Sequence, residues 1–557
     1  MPTTLPGAMG QQLAWLLRLT IGGSDFYLST SPIVITRDDG SIVSHTGGLT
    51  EPDYSESLSR FSHTVDDMAT SLEVVVDGLN ISTHRRKGFQ LQRATGELSC
   101  VTIINGVVQQ TYEGRLVHVV GRVSEPTYGH PDAPVGYFTF TLDGRPGADS
   151  EPFHSSTMFI DGGRITTVVT DDDHEGKAYP LVFGQPGTYV NALGVSRKTS
   201  ASPAYIIDKD TNTPPRVDTV LVAGHHVAAA TVTIFAGDPV TSYNHNITNT
   251  VDNLGQPIAT ADLTSDNGGS SMTGLGTAGS NWRLDNTEFW VCWDGGAGVQ
   301  NPLSGTSVSG AGDLLIWALS QTPYDVDYGA WEAVKGYLNQ YEFSGYLNDP
   351  GVTIWEWITT IAELIVPLTI RTGAEGIYPI IQDIHISKAE AETVLVGPDF
   401  YRSGPIQVHG TPDEIRNTIT LEWCLRAKTG DFKQHTTIGV FDPDDVNTMS
   451  TIYSTTSISR FGTKAETVET PWVYTRTTAE KILADMVRLK GSLGESVGYF
   501  AGLEHSHLML GDVIKVTDLD IGFSDQLMTV MGKAWAGTGW NLELLIEDDP
   551  VRDDRPI

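Results

Sequence analysis

The sequence predicts a mainly β protein of several domains, with an α+β segment inserted between two β-rich blocks. At 557 residues the chain is too long for one ordinary core, and a usual size of about 100 to 200 residues per domain gives roughly three to five domains. Its 58 glycines and a texture rich in Ser and Thr indicate many turns and short strands. Only 18 % of the residues are charged, so long charged helices cannot dominate, while 39 % apolar residues suffice for several cores.

Residues 1–148 are predicted to form an N-terminal β domain. The segments 99–104 and 107–109 are rich in β-branched residues and flank Asn105-Gly106. This pair favours a tight hairpin, because both residues tolerate positive φ. In 137–142, Phe and Leu alternate with Thr, which is typical of a strand with one buried face.

Residues 149–310 are predicted to be an irregular, β-rich connecting domain. Pro180 and Pro186 exclude a central strand over 180–187, since proline cannot donate to a sheet. The segment 244–310 is rich in Gly, Ser, Thr and Asn, which favours long loops between short strands.

Helices are expected from residue 311 onward, in an α+β domain spanning 311–384. Asp313 is predicted to cap the first helix. A second helix is expected over 328–341. The clearest lies over 353–365, where an apolar stripe faces a polar one until Pro367 ends the helix.

Residues 385–557 are predicted to form a second β block with one helix over 477–490. The segment 477–480 has the form of a capping box, and Gly491 suits the end of a helix. The predicted strands of this block are 497–500, 512–517, 527–531 and 542–547.

The net charge of −33 argues against a nucleic-acid partner, because phosphates repel it and DNA binding needs clustered Lys and Arg. An acidic balance instead keeps a large assembly soluble. No stretch of about 18 apolar residues occurs, so no membrane-spanning segment is expected. The first residues lack the basic region of a signal peptide.

The three cysteines, Cys100, Cys292 and Cys424, lie far apart and lack CxxC spacing. They therefore indicate neither a zinc site nor a disulfide framework. We expect them to be buried thiols of a protein made in a reducing cytoplasm.

Two histidine pairs are candidate metal ligands. His505 and His507 would face the same way on a strand, as a metal site could require, but no third ligand is evident. His225 and His226 would point to opposite faces of a strand, which argues against a shared metal. Both pairs are interpreted as structural histidines.

Three groups of carboxylates could carry chemistry. The segments 171–175 and 442–445 could attract Ca²⁺, but they lack the spacing of an EF-hand and are interpreted as solvated loops. Glu356 and Glu363 lie near tryptophans and could suggest a muramidase cleft. However, two helical turns place their backbones about 10 Å apart, and both fall on the polar stripe of a helix.

Motifs of common enzyme classes are absent from the sequence, including GxSxG, HExxH, the Walker loop and the dinucleotide fingerprint. We therefore expect no catalytic, cofactor-binding or metal-binding residue, and the chain is predicted not to be an enzyme.

Three stretches between residues 180 and 514 carry a resemblance to a known family. The first comprises 180–184, 202–205 and 221–225, the second is 412–421, and the third runs from 472–476 through the predicted helix to 510–514. Together they resemble the baseplate hub, or tail-tip, proteins of long-tailed phages and gene transfer agents.

The resemblance implies a homotrimer in a virion, at the tail tip, synthesised in the cytoplasm of a bacterial host. Its two end blocks, 1–148 and 385–557, would be tube-like β-barrel domains, each with an associated helix. Three copies would then form a pseudo-sixfold ring that joins a sixfold tail tube to a threefold tip. The implied partners are the distal tail protein ring, the tape measure protein, and tail fibres or a central spike. DNA would pass through the ring without specific binding.

Some members of that family carry an iron–sulfur cluster, but three scattered cysteines do not match a four-thiolate set, so no cofactor is expected. Two alternatives stay open. One is a secreted or surface carbohydrate-binding β protein, which the Trp-rich stretches could suit. The other is a tail-associated peptidoglycan hydrolase that uses Glu356 and Glu363.

Overall fold

The computed structural model describes most of the chain, with gaps, and all structural statements below concern these residues. They are 11–57, 69–75, 94–128, 137–143, 152–155, 157–161, 175–186, 189–190, 196–197, 202–208, 217–227, 231–236, 241–264, 289–293, 299–305, 308, 310–373, 375–381, 392–409, 413–425, 432–438, 448–449, 452–491 and 494–546. The described part is mostly β, as predicted, and holds several sheets.

The N-terminal block forms one nine-stranded sheet in the order β3-β4-β2-β1-β7-β9-β10-β6, with β8 beside β7. The predicted hairpin at Asn105-Gly106 is confirmed, since both residues have positive φ (51° and 78°) and β7 pairs with β8. The strands of the block are β1 Gln11–Ile21, β2 Ser24–Ser29, β3 Ile33–Thr36, β4 Ile42–Gly47, β5 Ser55–Ser57, β6 Ala69–Val75, β7 Thr95–Ile104, β8 Val107–Val108, β9 Leu116–Tyr128 and β10 Tyr137–Asp143.

The connecting segment contains a seven-stranded sheet, β17-β16-β20-β14-β15-β19-β18, around a small core that includes Trp293. Leu181–Phe183 forms only a short pair with Gly345–Leu347, in keeping with the prolines on either side. The strands are β11 Leu181–Phe183, β12 Tyr189–Val190, β13 Ser196–Arg197, β14 Ser202–Asp208, β15 Val217–Ala223, β16 Thr231–Ala236, β17 Thr241–Asn246, β18 Thr248–Val251, β19 Pro257–Thr264 and β20 Phe289–Trp293.

Three helices and a hairpin follow: α1 Ala311–Ser320, α2 Tyr328–Leu338, β21 Gly345–Leu347, α3 Ile354–Leu364, β22 Leu368–Gly373 and β23 Gly376–Ile381. The predicted helices 328–341 and 353–365 are confirmed. The predicted cap is wrong, because Gly310 is the N-cap of α1 and Asp313 lies inside its first turn. The Asp313 carboxylate instead accepts hydrogen bonds from the side-chain amides of Asn301 and Asn339.

The C-terminal block holds two sheets. The larger has the order β24-β31-β32-β33-β30-β25, with β5 of the N-terminal block added to β32, and the smaller is β28-β27-β26-β29. The elements are β24 Glu392–Leu395, β25 Phe400–His409, β26 Thr418–Leu425, β27 Phe432–Ile438, β28 Thr448–Met449, α4 Ile452–Phe461, β29 Ala465–Glu469, α5 Arg476–Lys490, β30 Gly494–Ala501, β31 Val513–Asp518, β32 Phe523–Trp535 and β33 Trp540–Ile546.

Helix α5 matches the predicted helix 477–490, but it begins one residue earlier. Its cap is Thr475, whose side chain accepts from the backbone N–H of Thr478, so the predicted capping box at 477–480 is wrong. The helix packs against β26 and β27 of the smaller sheet.

Two large cores organise these elements. The first joins α1, α3 and α5 to β26 and contains Trp357 and Ile482. The second lies between the N-terminal sheet and the larger C-terminal sheet, where Trp15 of β1 packs near Trp540 of β33. The N-terminal sheet and the larger C-terminal sheet therefore share one core.

The two predicted β-barrels are not seen, because none of the described sheets closes through strand pairing. The ends of the N-terminal sheet meet at one isolated bridge, Leu49 with Val74, beside a Thr50 N–H bond to the Glu73 carbonyl at 2.9 Å. In the larger C-terminal sheet, the edge strands β24 and β25 follow each other in the chain and are joined by a tight turn closed at Gly397 and Phe400. The edge strands β3 and β24 have only four residues each, so they offer few backbone groups to a closing ladder.

Candidate functional site

The His505–His507 pair does not lie on a strand, which corrects the prediction. Leu503–His505 forms a 3₁₀ turn, and the two imidazole centres are 6.3 Å apart. His505 packs edge-on against Phe400, while the Nε2 atom of His507 lies 3.0 Å from a carboxylate oxygen of Glu392. Within the described ranges, no group of three His, Cys, Asp or Glu side chains is placed to hold a metal ion.

His225 and His226 follow strand β15 rather than lying in it. The Nε2 atom of His225 accepts the backbone N–H of Val182 at 3.0 Å, so its other ring nitrogen carries the proton and donates to the His226 carbonyl at 2.9 Å. Burial lowers the pKa of His225 to about 4, which keeps the ring neutral. His226 contacts the Thr250 carbonyl at 2.8 Å. Both side chains therefore connect backbone segments.

The carboxylate pair on α3 is used for helix capping. Glu356 accepts from the backbone N–H of Thr353 at 3.1 Å and the Thr353 side chain accepts from Glu356 N–H, which is a complete capping box. Glu356 and Glu363 are exposed on the polar stripe. The acidic segments 171–174 and 442–445 lie outside the described residues, and Glu175 is exposed.

The three cysteines are buried and form no disulfide bond, as predicted. Burial raises the pKa of Cys100 to about 12, so this thiol stays protonated. Its sulfur lies 3.3 Å from the Nε2 atom of His118, on the neighbouring strand.

His118 marks a buried cluster of polar groups where the two end sheets meet, which we call the junction. The centre of its ring lies 5.0 Å from that of Trp15, 4.7 Å from Tyr54 and 5.2 Å from Trp540. Burial is the main cause that holds the pKa of His118 well below its usual value, and the cations Lys533 and Arg371 add to it.

Three charged side chains complete the junction. Arg371 of β22 and Glu56 of β5 form an ion pair with 2.6 Å between Nη2 and Oε2, and their side chains are only 5 % and 4 % exposed. Lys533 of β32 lies directly opposite Glu56 in the β5–β32 ladder. Its ammonium group donates to the carbonyls of Ser506 and Leu508 at 2.7 and 2.8 Å.

Little in the sequence indicates this junction. Glu56 and Arg371 are 315 positions apart, and no local pattern relates them. Lys533 follows an irregularity in β32 between Val530 and Gly532, which shifts its side chain to the inner face and breaks the alternation that begins at Met528. The lysine inside the otherwise apolar strand β32 could have indicated a buried polar cluster, because lysine is rarely buried without a partner.

The described part of the C-terminal sheet also presents an open edge. Strand β25 pairs with β30 on one side, and the side chains of Tyr401, Ile406 and Val408 are 37 %, 42 % and 57 % exposed. Leu395 of the opposite edge strand is 66 % exposed. A long edge strand with exposed apolar side chains favours contact with another chain.

No protein-family model and no curated protein matches the sequence. The search of solved structures does find matches. The chain is similar to phage tail proteins. Among the matches are a tail protein from Neisseria meningitidis MC58 (TM-score 0.35, 11 % identity, 95 % of this chain and 96 % of that one) and the 43 kDa tail protein of prophage MuSo2 from Shewanella oneidensis (TM-score 0.34, 10 % identity, 95 % and 98 %). A third is a chain of the native gene transfer agent virion (TM-score 0.37, 11 % identity, 68 % and 86 %).

Among the described helices, none combines the length and the apolar character needed to cross a bilayer.

Proposed function

We propose that this chain is a structural virion protein, the baseplate hub at the tip of a phage-like tail. The observation that carries the proposal is the similarity and shared core of the N-terminal and C-terminal blocks. Each end block forms a mainly antiparallel sheet whose own edges approach each other, and the two sheets share one core. Two similar units in one chain are what a threefold protein needs in order to match a sixfold tube.

In this proposal each end sheet, 1–148 and 385–557, is one tube-like domain, and three copies place six such domains in a ring. Neighbouring subunits would cover the open β25 edge and supply the contacts that its exposed apolar residues lack. The ring would contact the distal tail protein, the tape measure protein, and fibres or a spike. It would open on receptor binding so that the tape measure and DNA can pass.

The proposed role is mechanical and involves no catalysis. A net charge of −33 would weaken contact between DNA and the wall of a channel, because like charges repel. A channel lined mainly by Lys and Arg in the assembled ring would contradict this part of the proposal.

The described residues give the two alternatives little support. The sugar-binding alternative rests on the Trp-rich stretches, yet none of the described tryptophans is exposed. A hydrolase built on Glu356 would need a free carboxylate, whereas this one is engaged in the cap of α3.

Immunogold labelling of intact particles that carry this protein tests the proposal. Label is expected at the tail tip only. Label along the tube or on the capsid would contradict a hub.

A further inference from the structure

The ion pair of Glu56 and Arg371 joins three parts of the chain at one point. Arg371 belongs to the β22–β23 hairpin, which extends from the helical core. Glu56 lies on β5, a strand that leaves the N-terminal block to pair with β32 of the C-terminal sheet. Strand β22 also contacts β9 of the N-terminal sheet. The hairpin therefore meets both end sheets where this pair forms.

The two buried cations of the junction, Arg371 and Lys533, differ in how far they rely on Glu56 for a partner. Arg371 is held by the Glu56 carboxylate at 2.6 Å. Lys533 has other acceptors, two backbone carbonyls, and its ammonium nitrogen lies 4.3 Å from the centre of the Trp540 ring. Cross-strand partners face the same side of a sheet, so Glu56 also faces Lys533. If Arg371 is lost, Glu56 still faces the cation Lys533. If Glu56 is lost, the two buried cations Arg371 and Lys533 lose the carboxylate between them.

We propose that Glu56 and Arg371 form a latch that fixes the β22–β23 hairpin, and with it the helical part of the chain, against the two end sheets. When the pair is broken, the hairpin separates from the junction and opens locally, while the two end sheets keep their own ladders. The helical part can then change its position relative to the end sheets when the ion pair breaks. This inference does not depend on the proposed place of the protein in a tail.

Hydrogen exchange of the full-length chain, followed by mass spectrometry, tests the latch through Arg371→Met. Exchange in peptides covering 368–381 is expected to accelerate by at least about tenfold, as for a local opening that does not unfold the cores. Exchange in Thr95–Ile104 and Trp540–Ile546 is expected to stay at the wild-type rate. Arg371→Lys keeps the charge and is expected to give an intermediate rate, so it also serves as the test if the Met variant does not fold.

Glu97→Gln is the matched control, because Glu97 is equally buried but pairs with Arg18 and Arg115 inside the N-terminal sheet. It should leave exchange in 368–381 unchanged. Lys533→Met keeps the pair and should also leave the hairpin closed, whereas Glu56→Gln should open the hairpin and loosen the β5–β32 ladder as well.

The result that supports the latch is fast exchange confined to 368–381 in the Arg371 variants. Protection of 368–381 equal to that in Glu97→Gln would overturn it. Equal acceleration in all cores would also overturn it, since the pair would then contribute only to global stability.

Discussion

The helical core and the junction are both buried and both contain aromatic rings, but only the junction also buries an ion pair and a lysine. In the helical core, the Trp357 ring meets Phe153, Phe183 and Trp317 edge to face, with ring centres 5.4 to 6.2 Å apart. In the junction, by contrast, the buried pair is the ion pair of Glu56 and Arg371. Apolar packing tolerates several arrangements of similar energy, whereas buried charges are satisfied in few. We infer that the helical core supplies stability and that the junction supplies position.

Truncation of the central ring of the helical core should have the largest effect. Trp357→Ala is expected to lower the free energy of unfolding by about 3 to 5 kcal/mol, because it leaves a cavity among rings that cannot collapse to fill it. Denaturant unfolding of the full chain measures this loss. Trp355→Ala is the control, since that ring is only half-buried on the same helix, and its cost should be less than half as large. Equal losses would contradict the central place of Trp357.

Removal of the junction lysine should have a smaller effect that depends on pH. Burial lowers the pKa of Lys533 from 10.5 to about 8, against the opposing attraction of Glu56. At about 1.4 kcal/mol per pKa unit, keeping this lysine charged in the fold costs about 3 kcal/mol below pH 8. Between pH 8 and 10.5 the unfolded chain binds more protons than the folded chain, so this cost falls as the pH rises.

The free energy of unfolding of the wild type, minus that of Lys533→Met, is therefore expected to be constant between pH 6 and 7 and to rise between pH 8 and 10. Chemical denaturation at a series of pH values measures this difference. A difference that falls over the upper range would show that the folded state favours the protonated lysine, contrary to the account of the junction.

Loss of the capping carboxylate on α3 should have the smallest effect. Glu356→Gln is expected to cost about 1 kcal/mol, because the cap of an exposed helix end is weakened. Glu363→Gln, on the same exposed stripe but outside the cap, should cost almost nothing. Thermal unfolding compares the two variants.

The same two variants test the non-enzymatic role. Cell-wall clearing by the wild type in a zymogram, if either substitution removes it, would contradict that role.

Local elements could be predicted from the sequence where local chemistry decides them. The turn at Asn105-Gly106 needs two residues that tolerate positive φ, and α3 has both an apolar stripe and a capping threonine at Thr353. The predicted caps of α1 and α5 were wrong by three and two positions. Asp313 and Thr477 are suitable cap residues, but Gly310 and Thr475 hold the positions at which the chain enters the helices.

The candidate site could not be predicted, because its members are brought together only by tertiary contacts. Glu56 reaches Arg371 through a strand that crosses from one block to the other, and only this crossing places Lys533 beside them. The prediction that His505 and His507 lie on a strand was wrong for a related reason. A period-two pattern predicts a strand, whereas the backbone turns at Leu503–His505 and places His507 next to Glu392.

The mass and symmetry of the purified full-length chain test the central claim most directly. Light scattering should give about three times the 60.3 kDa of one chain, and negative-stain images should show a ring with a central channel and six similar peripheral densities. A particle that remains a single chain at every concentration, or a ring of six chains, would contradict a threefold hub built from two sheet domains per subunit.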